Sequence, residues 1–491
     1  MWLGALDGSG PIYRQLYRAI RGAILDGRLR PGERLPSTRW LADDAGVARN
    51  RVILAYTQLI DEGYLVGRVG SGTCVAREVP GDGAPNAIRA PRVQVRRPAA
   101  RRSRFANRVA KGVLDWRFDD IPQFDFHYGR PSFRDFPHSI WRRMIARQAR
   151  RAQLSDLDYA PGASAGLPFL RSAIAGHLLR WRGVRVSAEQ IIVTNGSQQA
   201  LGLAARLLLD PGDPAAIENP HYLGARLALQ GAGAEIVPIP VDTQGLDVAA
   251  LEREPRRPRL IYVTPSHQFP MGAVLPLSRR LALLRFAQRV GAYVIEDDYD
   301  GEYRYTGMPL ESLQDLDEAA RVLYVGTFSK ILFPALRIGY IVAPTPLAAA
   351  FVQAKTAADF GNAQFEQRVL ADFINDGHLD VHVRRSRRRH AARRRVMLET
   401  LSETIGKRAT VLGCGAGLHV VVILRGVRPT DVARIVALAR ERSIGVYTTQ
   451  PYYLGRRPRN AELLLGHGAL SEDEIREGVR RLAEVIRVVT R

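Results

Sequence analysis

The start of the chain shows the spacing of apolar side chains that amphipathic helices have. Between Pro11 and Gly27, apolar residues recur every three or four positions, which predicts one helix that begins at a proline and ends at a glycine. A second, short helix is predicted from a candidate N-cap at Ser37 to the residue before Gly46, and a third over 48–62. Two helices joined at a glycine are typical of a helix-turn-helix.

A β-prone hairpin follows the third predicted helix. Two short runs in YLVGRVGSGTCVA lie on either side of a Gly-Ser-Gly tip, and glycines let such a tip approach a phosphate backbone closely. In a helix-turn-helix, the start of the second helix enters the major groove of DNA. The candidate DNA-contacting residues are Arg39, Arg49, Asn50, Arg51 and Gly70.

The segment 8–77 resembles the winged helix of GntR-type bacterial transcription factors over its whole length. The PGxxLPSxRxLA segment, the GVxR start of the third helix, the AYxxLxxEGYL stretch and the GxGT wing carry this resemblance. It implies that Arg39, Arg49 and Gly70 contact double-stranded operator DNA. Arg51 departs from the pattern, since relatives usually carry Thr or Ser there, and the sequence read at that step is expected to differ.

The chain changes character twice after this segment. Residues 78–123 are rich in Pro, Ala, Gly and Arg with little apolar periodicity, which predicts a basic linker, in the simplest interpretation a solvated tether. Residues 124–491 alternate β-prone and helical segments, such as IIVTNG followed by SQQALGLAARLLL. This alternation predicts an α/β body in which helices cover a sheet and chemistry lies at the strand ends.

Lys330 is the residue that points most clearly to chemistry. It is one of only four lysines among 71 basic residues, so it is a poor candidate for ordinary surface charge. Thr327 and Ser329 precede it and Arg337 follows it. Two hydroxyls and a guanidinium can hold a phosphate beside an amine that condenses with an aldehyde. The combination predicts bound pyridoxal 5'-phosphate.

Further candidate cofactor ligands occur near predicted strand ends and helix starts. Asp297 could pair with the pyridine nitrogen and keep it protonated, and Tyr299 could hydrogen-bond the phenolic oxygen. A metal site is less well supported, because the acidic run EDDYDGE lacks the ligand periodicity of a calcium loop. The candidates for holding the phosphate at a helix start, and for stacking on the ring, are Gly196, Ser197, Gln198 and Tyr222.

From about residue 124 onward the chain resembles the fold type I aminotransferases, and specifically the aminotransferase-like body of MocR/GabR regulators. The segments DYAPGASAGLPFLRSAI, TNGSQQAL, ENPHYLGAR, TPSHQFPMG, EDDYD and TFSKILFPALRIGY carry the resemblance. It implies the pyridoxal phosphate-dependent transferase fold, with a large mixed-sheet domain and a small C-terminal α/β subdomain over about 375–491.

The resemblance also implies roles for individual residues. Lys330 would form the Schiff base with pyridoxal phosphate, and Asp297 would be the partner of the pyridine nitrogen. Tyr299, together with either His267 or Gln268, would lie beside the phenolic oxygen.

Two more implied roles concern a second subunit and an effector. Tyr159 matches the tyrosine that reaches the phosphate from the other subunit, which implies a homodimer with shared cofactor sites. Arg226 is the nearest match to an arginine that helps to hold the effector in the GABA-responsive member.

Two departures from the family pattern concern the effector. Aminotransferases carry, near the C-terminus, an arginine that grips the substrate carboxylate, whereas this chain has Leu463–Leu465 in the expected place and cannot form that ion pair there. Either Arg456 or Arg459 substitutes, or the effector is not an ordinary α-amino acid. His221 stands where relatives often have glycine, which narrows the pocket or adds a hydrogen-bonding group.

Composition changes this picture little. The formal net charge of +22 favours a polyanionic partner, although arginine bias makes charge weak evidence, and the arginine-rich segment 383–395 is interpreted as a solvated helix face. Cys74 and Cys414 are too few for a disulfide framework, and no secretory signal or membrane-spanning apolar run is evident. A cytoplasmic protein without a membrane partner is expected.

These observations favour a dimeric bacterial transcription regulator that holds pyridoxal phosphate at Lys330 and senses either a small amine or amino acid or the cofactor itself. One alternative is an active aminotransferase with an accessory DNA-binding domain, against which the missing carboxylate-binding arginine counts. A third possibility is a DNA-binding protein whose body is a cofactor-free dimerisation scaffold. The set of Lys330, Asp297, Tyr299 and Arg337 disfavours it.

Overall fold

A computed structural model of the chain describes residues 6–68, 72–79, 101–110, 121–158, 163–307, 311–455 and 458–490. The chain divides into two compact units, Met1–Ala100 and Arg101–Arg491. Among the described residues, no helix has both the length and the apolar character needed to cross a membrane.

The N-terminal unit contains the predicted helix-turn-helix and β-hairpin. Ser37 caps its second helix by accepting a hydrogen bond from the backbone N–H of Trp40 at 3.2 Å, and Gly46 ends that helix in the left-handed conformation, with φ of 64°. The two strands pair antiparallel, with Leu65 opposite Val75. The elements are α1 (Ile12–Leu25), α2 (Thr38–Ala45), α3 (Arg49–Asp61), β1 (Leu65–Arg68) and β2 (Gly72–Val75).

Apolar side chains from all three helices form the core of this unit. Leu16 and Ile20 of α1, Leu41 of α2, and Val52 and Leu59 of α3 are fully buried together. Each such side chain contributes about 1.5–3 kcal/mol by leaving water, so the helical spacing of apolar residues decides which face of each helix turns inward.

The C-terminal unit begins with a short helix, α4 (Arg104–Val109), inside the segment that the sequence assigns to the linker. Phe105 packs on Gly231 of the body, where an added Cβ atom would lie 3.2 Å from the phenylalanine ring. Arg108 donates a hydrogen bond to the carbonyl of Gly231 at 2.8 Å. Residues 101–110 are therefore bound to the body rather than being part of a solvated tether, because Gly231 leaves room for the ring.

Fourteen strands build the sheets of this unit. They are β3 (Phe124–Asp125), β4 (Ile191–Thr194), β5 (Pro214–Asn219), β6 (Glu235–Asp242), β7 (Gly245–Leu246), β8 (Leu260–Val263), β9 (Tyr293–Asp298), β10 (Val322–Thr327), β11 (Gly339–Val342), β12 (Ala409–Leu412), β13 (His419–Leu424), β14 (Ile444–Gly445), β15 (Tyr447–Thr448) and β16 (Ala461–Gly466), all within the described ranges.

The remaining helices of the described chain lie between and after these strands. They are α5 (His138–Arg151), α6 (Pro168–Arg182), α7 (Ser197–Leu208), α8 (Leu223–Ala232), α9 (Val248–Arg253), α10 (Leu277–Val290), α11 (Leu313–Leu316), α12 (Thr345–Asp359), α13 (Gln364–Asn375), α14 (His378–Thr404), α15 (Val432–Glu441) and α16 (Glu472–Val489).

The large sheet has eight strands in the order β4-β11-β10-β9-β8-β5-β6-β7. Strands β10, β9, β8, β5 and β6 are parallel, while β11 and β7 run antiparallel to their neighbours. Apolar clusters cover both faces of this sheet, as expected for a sheet whose parallel strands are covered by helices on both sides. The predicted mixed-sheet α/β architecture is confirmed.

The small C-terminal sheet is antiparallel, in the order β12-β13-β16-β15. Helices α14 and α16 pack together, and their apolar residues join those of β13 and β16 in one core that includes Met397, Val420, Leu463 and Leu482. Strand β3 pairs with β14. Residues 124–125 thus contribute a strand to this subdomain before the chain enters the large sheet.

Candidate cofactor site and DNA-binding surface

The main candidate residues meet where two parallel strands end. Val325 of β10 is paired with Asp297 of β9, and Lys330 follows β10 by three residues. Because parallel strands end at the same edge of a sheet, the carboxyl and the amine come together. The positive charge of Lys330 acts to lower the pKa of Asp297, and the negative charge of Asp297 acts to raise the pKa of Lys330.

The Lys330 amine lies against a glycine. Its Nζ donates a hydrogen bond to the carbonyl of Gly129 at 2.9 Å. Gly129 has φ of 65°, and a Cβ atom added there would lie 2.8 Å from Nζ, so a side chain at this position would displace the amine. Burial lowers the pKa of Lys330, which increases the fraction of the unprotonated amine, the form that attacks an aldehyde.

Asp297 is buried, and one of its carboxyl oxygens has no hydrogen-bond partner among the described residues. Its Oδ2 accepts a hydrogen bond from the Tyr262 hydroxyl at 2.7 Å, whereas its Oδ1 has no partner in the described part of the chain. Burial raises the pKa of Asp297 to about 7, because a carboxylate out of water needs a compensating donor or cation. A protonated pyridine nitrogen is such a group, so this residue fits pyridoxal phosphate.

A possible phosphate cradle lies at the N-terminus of α7, the helix that Ser197 begins. Gly196 precedes it with φ of 78°, and a Cβ atom there would lie 2.8 Å from Nη2 of Arg337. Arg337 also donates to the carbonyl of Asn195 at 2.7 Å and has φ of 52°, an unusual conformation for arginine. Unpaired N–H groups, the helix dipole and a guanidinium together suit a dianion.

Thr327, Ser329 and Gln198 are the other candidates for holding the phosphate. The hydroxyls of Thr327 and Ser329 lie 3.0 Å apart, and the backbone N–H of Ser329 donates to the threonine hydroxyl at 3.2 Å. Gln198, in contrast, uses its amide nitrogen to donate to the carbonyl of Gly224 at 2.9 Å. The two hydroxyls thus form a pair just before Lys330 in the chain, while Gln198 supports the start of α8.

The structure distinguishes His267 from Gln268 as the neighbour of Tyr299. The tyrosine hydroxyl lies 3.0 Å from Nδ1 of His267, which is also 3.0 Å from Oδ2 of Asp300. The amide of Gln268 is turned away: its nitrogen donates to the carbonyl of Pro220 at 2.9 Å and its oxygen accepts from the backbone N–H of Met271 at 3.0 Å. Gln268 thus holds the loop before the cofactor site.

An aromatic cluster that the sequence did not reveal adjoins these residues. Tyr222 makes an edge-on contact with Phe269, at 5.7 Å between ring centres, and Phe269 in turn contacts Tyr452 at 5.1 Å. The hydroxyls of Tyr128 and Tyr452 are 2.5 Å apart. These residues come from four distant segments, so spacing along the chain gives no signal for them.

The region expected to hold an effector carboxylate is apolar. Leu463–Leu465 are fully buried in β16, and Leu464 joins the aromatic cluster. Arg459 is exposed on the loop before that strand. Arg456, Tyr159 and Gly70 lie outside the described residues.

Two basic side chains at the start of α8 are short of partners. His221 is completely buried, and neither ring nitrogen has a hydrogen-bond partner among the described residues, although its backbone N–H donates to the carbonyl of Tyr452 at 2.9 Å. Burial lowers the pKa of His221 to about 4, so its ring is neutral at physiological pH. Arg226 is partly buried, and its Nε likewise has no partner there.

In the N-terminal unit, the predicted DNA-contacting side chains share one helix start. Arg49, Asn50 and Arg51 open α3, and all three are exposed, as is Arg39 on α2. The described contacts of Arg49 include a weak hydrogen bond, 3.4 Å long, to the hydroxyl of Thr38. These side chains are free to rearrange toward a nucleic acid.

Comparison with known proteins agrees with this two-part organisation. Residues 12–75 match the model of the GntR family of bacterial regulatory proteins, and residues 141–482 match aminotransferase class I and II. The probable rhizopine catabolism regulatory protein MocR of Rhizobium meliloti is 39% identical over 97% of this chain and 94% of its own length. The chain belongs to the MocR-type regulators.

Other members of this family cover the chain equally well. The transcriptional regulator TauR of Rhodobacter capsulatus is 35% identical, with 98% of both chains covered, and the pyridoxine biosynthesis regulator PdxR of Corynebacterium glutamicum is 32% identical over 96% of this chain and 95% of its own. This MocR-type protein is therefore a transcriptional regulator with a helix-turn-helix unit and an aminotransferase-like body.

The body alone also resembles enzymes. Kynurenine aminotransferase of Pyrococcus horikoshii superposes with a TM-score of 0.69 at 30% identity, covering 79% of this chain and 95% of its own. The 2-aminoadipate transaminase of Thermus thermophilus is 32% identical over 74% of this chain and 89% of its own. The aminotransferase fold family implies a pyridoxal phosphate site, in agreement with the geometry around Lys330.

Proposed function

We propose that this MocR-type regulator binds pyridoxal phosphate at Lys330 as a homodimer, senses a primary amine or the cofactor itself there, and changes its affinity for operator DNA in response. The observation that carries the proposal is the buried Oδ1 of Asp297, which has no hydrogen-bond partner among the described residues and belongs to a carboxyl that interacts electrostatically with Lys330. Both groups are costly to bury alone, and both are satisfied by one cofactor.

The residues of the site would divide the work of holding this cofactor. Bound pyridoxal phosphate supplies an aldehyde that condenses with primary amines. Lys330 offers the amine of the protein, Asp297 keeps a proton on the ring nitrogen, and Tyr299, oriented by His267, offers its hydroxyl to the ring. Thr327, Ser329, Arg337 and the start of α7 at Gly196 and Ser197 would hold the phosphate, and Tyr222 would stack on the ring.

Sensing is favoured over turnover by the apolar strand β16. An aminotransferase must hold the carboxylates of two substrates in succession in one orientation, and Leu463–Leu465 provide no charged donor for this. At the start of α8, the neutral ring of His221 and the Nε of Arg226 are polar groups without hydrogen-bond partners among the described residues. An amine whose acidic or polar group reaches α8 suits this arrangement better than a short α-amino acid.

A signal has a physical route toward the DNA-binding unit. Tyr222 precedes helix α8 and Arg226 lies in its first turn, beside the candidate site. The last turn of α8 carries Gly231, to which α4 is bound through Arg108. The chain that leads to the N-terminal unit continues from the start of α4. A small shift of α8 on effector binding would therefore move the point at which this chain leaves the body.

Exposed apolar side chains support the proposed homodimer. Leu154 is 87% exposed, and Phe169 and Phe365 are also exposed. Arg368 links this region, because it pairs with Asp156 at 2.6 Å and lies over the ring of Phe169. Large exposed apolar side chains of this kind suit an interface, and Tyr159, the proposed ligand of the partner's phosphate, lies close by in sequence.

The test is a comparison of DNA affinity in three states of the full-length protein: without cofactor, with pyridoxal phosphate, and with pyridoxal phosphate plus each member of a panel of amines. The proposal predicts that DNA affinity changes at the second or third step and that Lys330→Ala removes the change. An active aminotransferase is the second candidate, because solved relatives of the body are enzymes. Sustained consumption of a keto acid would establish it.

A further inference from the structure

The face of α3 that points away from the N-terminal unit carries two aliphatic side chains. Leu54 is 48% exposed and Ile53 is 38% exposed. The opposite face of the same helix holds the buried residues Val52, Tyr56 and Leu59. Leucine and isoleucine at such positions leave much of their apolar surface in water, outside the unit's own core.

Both aliphatic residues share a helix face with the predicted DNA-contacting side chains. Ile53 lies four residues after Arg49, and Leu54 lies four residues after Asn50, so each is one turn further along the same side of the helix. A helix whose first turn enters the major groove also places its second turn over the base edges. Ile53 and Leu54 therefore lie where a base-reading side chain is expected.

The charges around the two residues favour nucleic acid over an apolar protein surface. Arg49 and Arg51 flank them, the first turn of α3 contains no acidic residue, and the first acid of the helix is Asp61 at its last position. An aliphatic patch framed by arginines suits a polyanion that also offers apolar groups. In the major groove, the C5-methyl of thymine is the apolar group that a protein reads.

We propose that Leu54, assisted by Ile53, recognises thymine methyl groups, so that the operator carries thymine at the base-pair steps next to those read by Arg49 and Asn50. This inference rests on the proposed binding of operator DNA and deepens it by naming a class of base at those steps. One well-packed methyl contact corresponds to roughly a fourfold change in affinity.

The test uses DNA duplexes that the full-length protein selects from a pool of random sequences, and it measures the affinity of the protein for each duplex. In the best selected duplex, each thymine is replaced in turn by deoxyuridine, which removes the methyl group and keeps the pairing edge. The wild-type protein is expected to lose affinity by roughly three- to tenfold at one or two positions in each half-site. Leu54→Ala should bind thymine and uracil duplexes equally at one of those positions, and Ile53→Ala at the other.

Ile60→Ala is the matched control. Ile60 is another aliphatic residue of α3, also 38% exposed, but it stands near the end of the helix beside Gly67 of β1. This variant should retain the full thymine preference. All three substitutions replace an exposed side chain by the best helix former, so folding is preserved.

Two results would overturn the inference while leaving operator binding intact. The first is equal affinity of the wild-type protein for all thymine and uracil duplexes, and the second is an unchanged thymine preference in the Ile53→Ala, Leu54→Ala double variant. Failure to select any duplex has a different meaning, because it would refute the proposed DNA binding itself.

Discussion

Arg108 donates a hydrogen bond of 2.8 Å to the main-chain carbonyl of Gly231, and this contact joins the segment leading to the N-terminal unit to the last turn of α8. The first turn of the same helix carries Arg226, next to Tyr222. One rigid helix thus spans the distance between the proposed effector site and the anchor of the connecting segment.

Loss of this anchor should uncouple the two functions. Arg108→Ala combined with Phe105→Ala removes the hydrogen bond and the ring contact with Gly231. We expect pyridoxal phosphate or an amine to bind with unchanged affinity while DNA affinity no longer responds. Arg104→Ala is the control, because Arg104 is exposed on the same helix. A double variant with a normal response would show that the signal does not pass through α4.

Gly196→Ala should weaken cofactor binding. Its φ of 78° is costly for alanine, and the new Cβ atom would lie 2.8 Å from Nη2 of Arg337. We expect pyridoxal phosphate affinity, measured by absorbance titration, to fall by on the order of tenfold. Gly202→Ala, in the interior of α7 with open space at its Cβ position, should bind the cofactor normally. Equal affinities of the two variants would remove Gly196 from the phosphate site.

Asp297→Asn should stabilise the cofactor-free protein while weakening cofactor binding. Burial raises the pKa of Asp297 from 3.8 to about 7, so the folded state binds the proton of this carboxyl more tightly than the unfolded state. Protonated Asp297 therefore stabilises the fold at low pH, and this stabilisation is lost as pH rises from about 4 to 7. At pH 8 the free energy of unfolding of the variant should be roughly 1–3 kcal/mol higher than that of the wild type.

In Asp297→Asn, the free energy of unfolding should also depend less on pH between about 4 and 7, although some dependence remains. Burial also raises the pKa of Glu218 and Glu296 to about 7, so these carboxyls keep part of the slope. Asp473→Asn, at an exposed carboxylate, serves as the control and should leave the profile unchanged. Denaturation at pH 5 and at pH 8 distinguishes the two, and a destabilised Asp297→Asn at pH 8 would contradict the assignment.

Arg49→Ala should weaken DNA binding alone. If its guanidinium contacts a base with two of its nitrogens, the loss amounts to roughly 1–3 kcal/mol of binding free energy. Cofactor binding, which belongs to the other unit, should be unaffected. Fluorescence anisotropy with a selected duplex measures the first quantity, and an unchanged affinity would exclude Arg49 from the contacts.

The sequence predicts these elements unequally, for physical reasons. The bounds of α2 follow from local signals, since Ser37 and Gly46 cap this helix by their own chemistry. Helix α4 could not be predicted from its sequence, because a helix of six residues is not stable alone. It is stabilised by the packing of Phe105 on Gly231, a residue far away in the chain. The orientation of Gln268 and the contact between Tyr128 and Tyr452 depend likewise on segments far apart in the chain.

The central claim is that the aminotransferase-like body is a sensor. It is tested most directly by the visible absorbance of the purified protein with pyridoxal phosphate, followed over time through a panel of amines in the presence of a keto acid. The account predicts a cofactor band that shifts with one class of amine and then persists, and that is absent in Lys330→Ala. Repeated cycling of the cofactor with steady consumption of the keto acid would identify an enzyme and contradict the account.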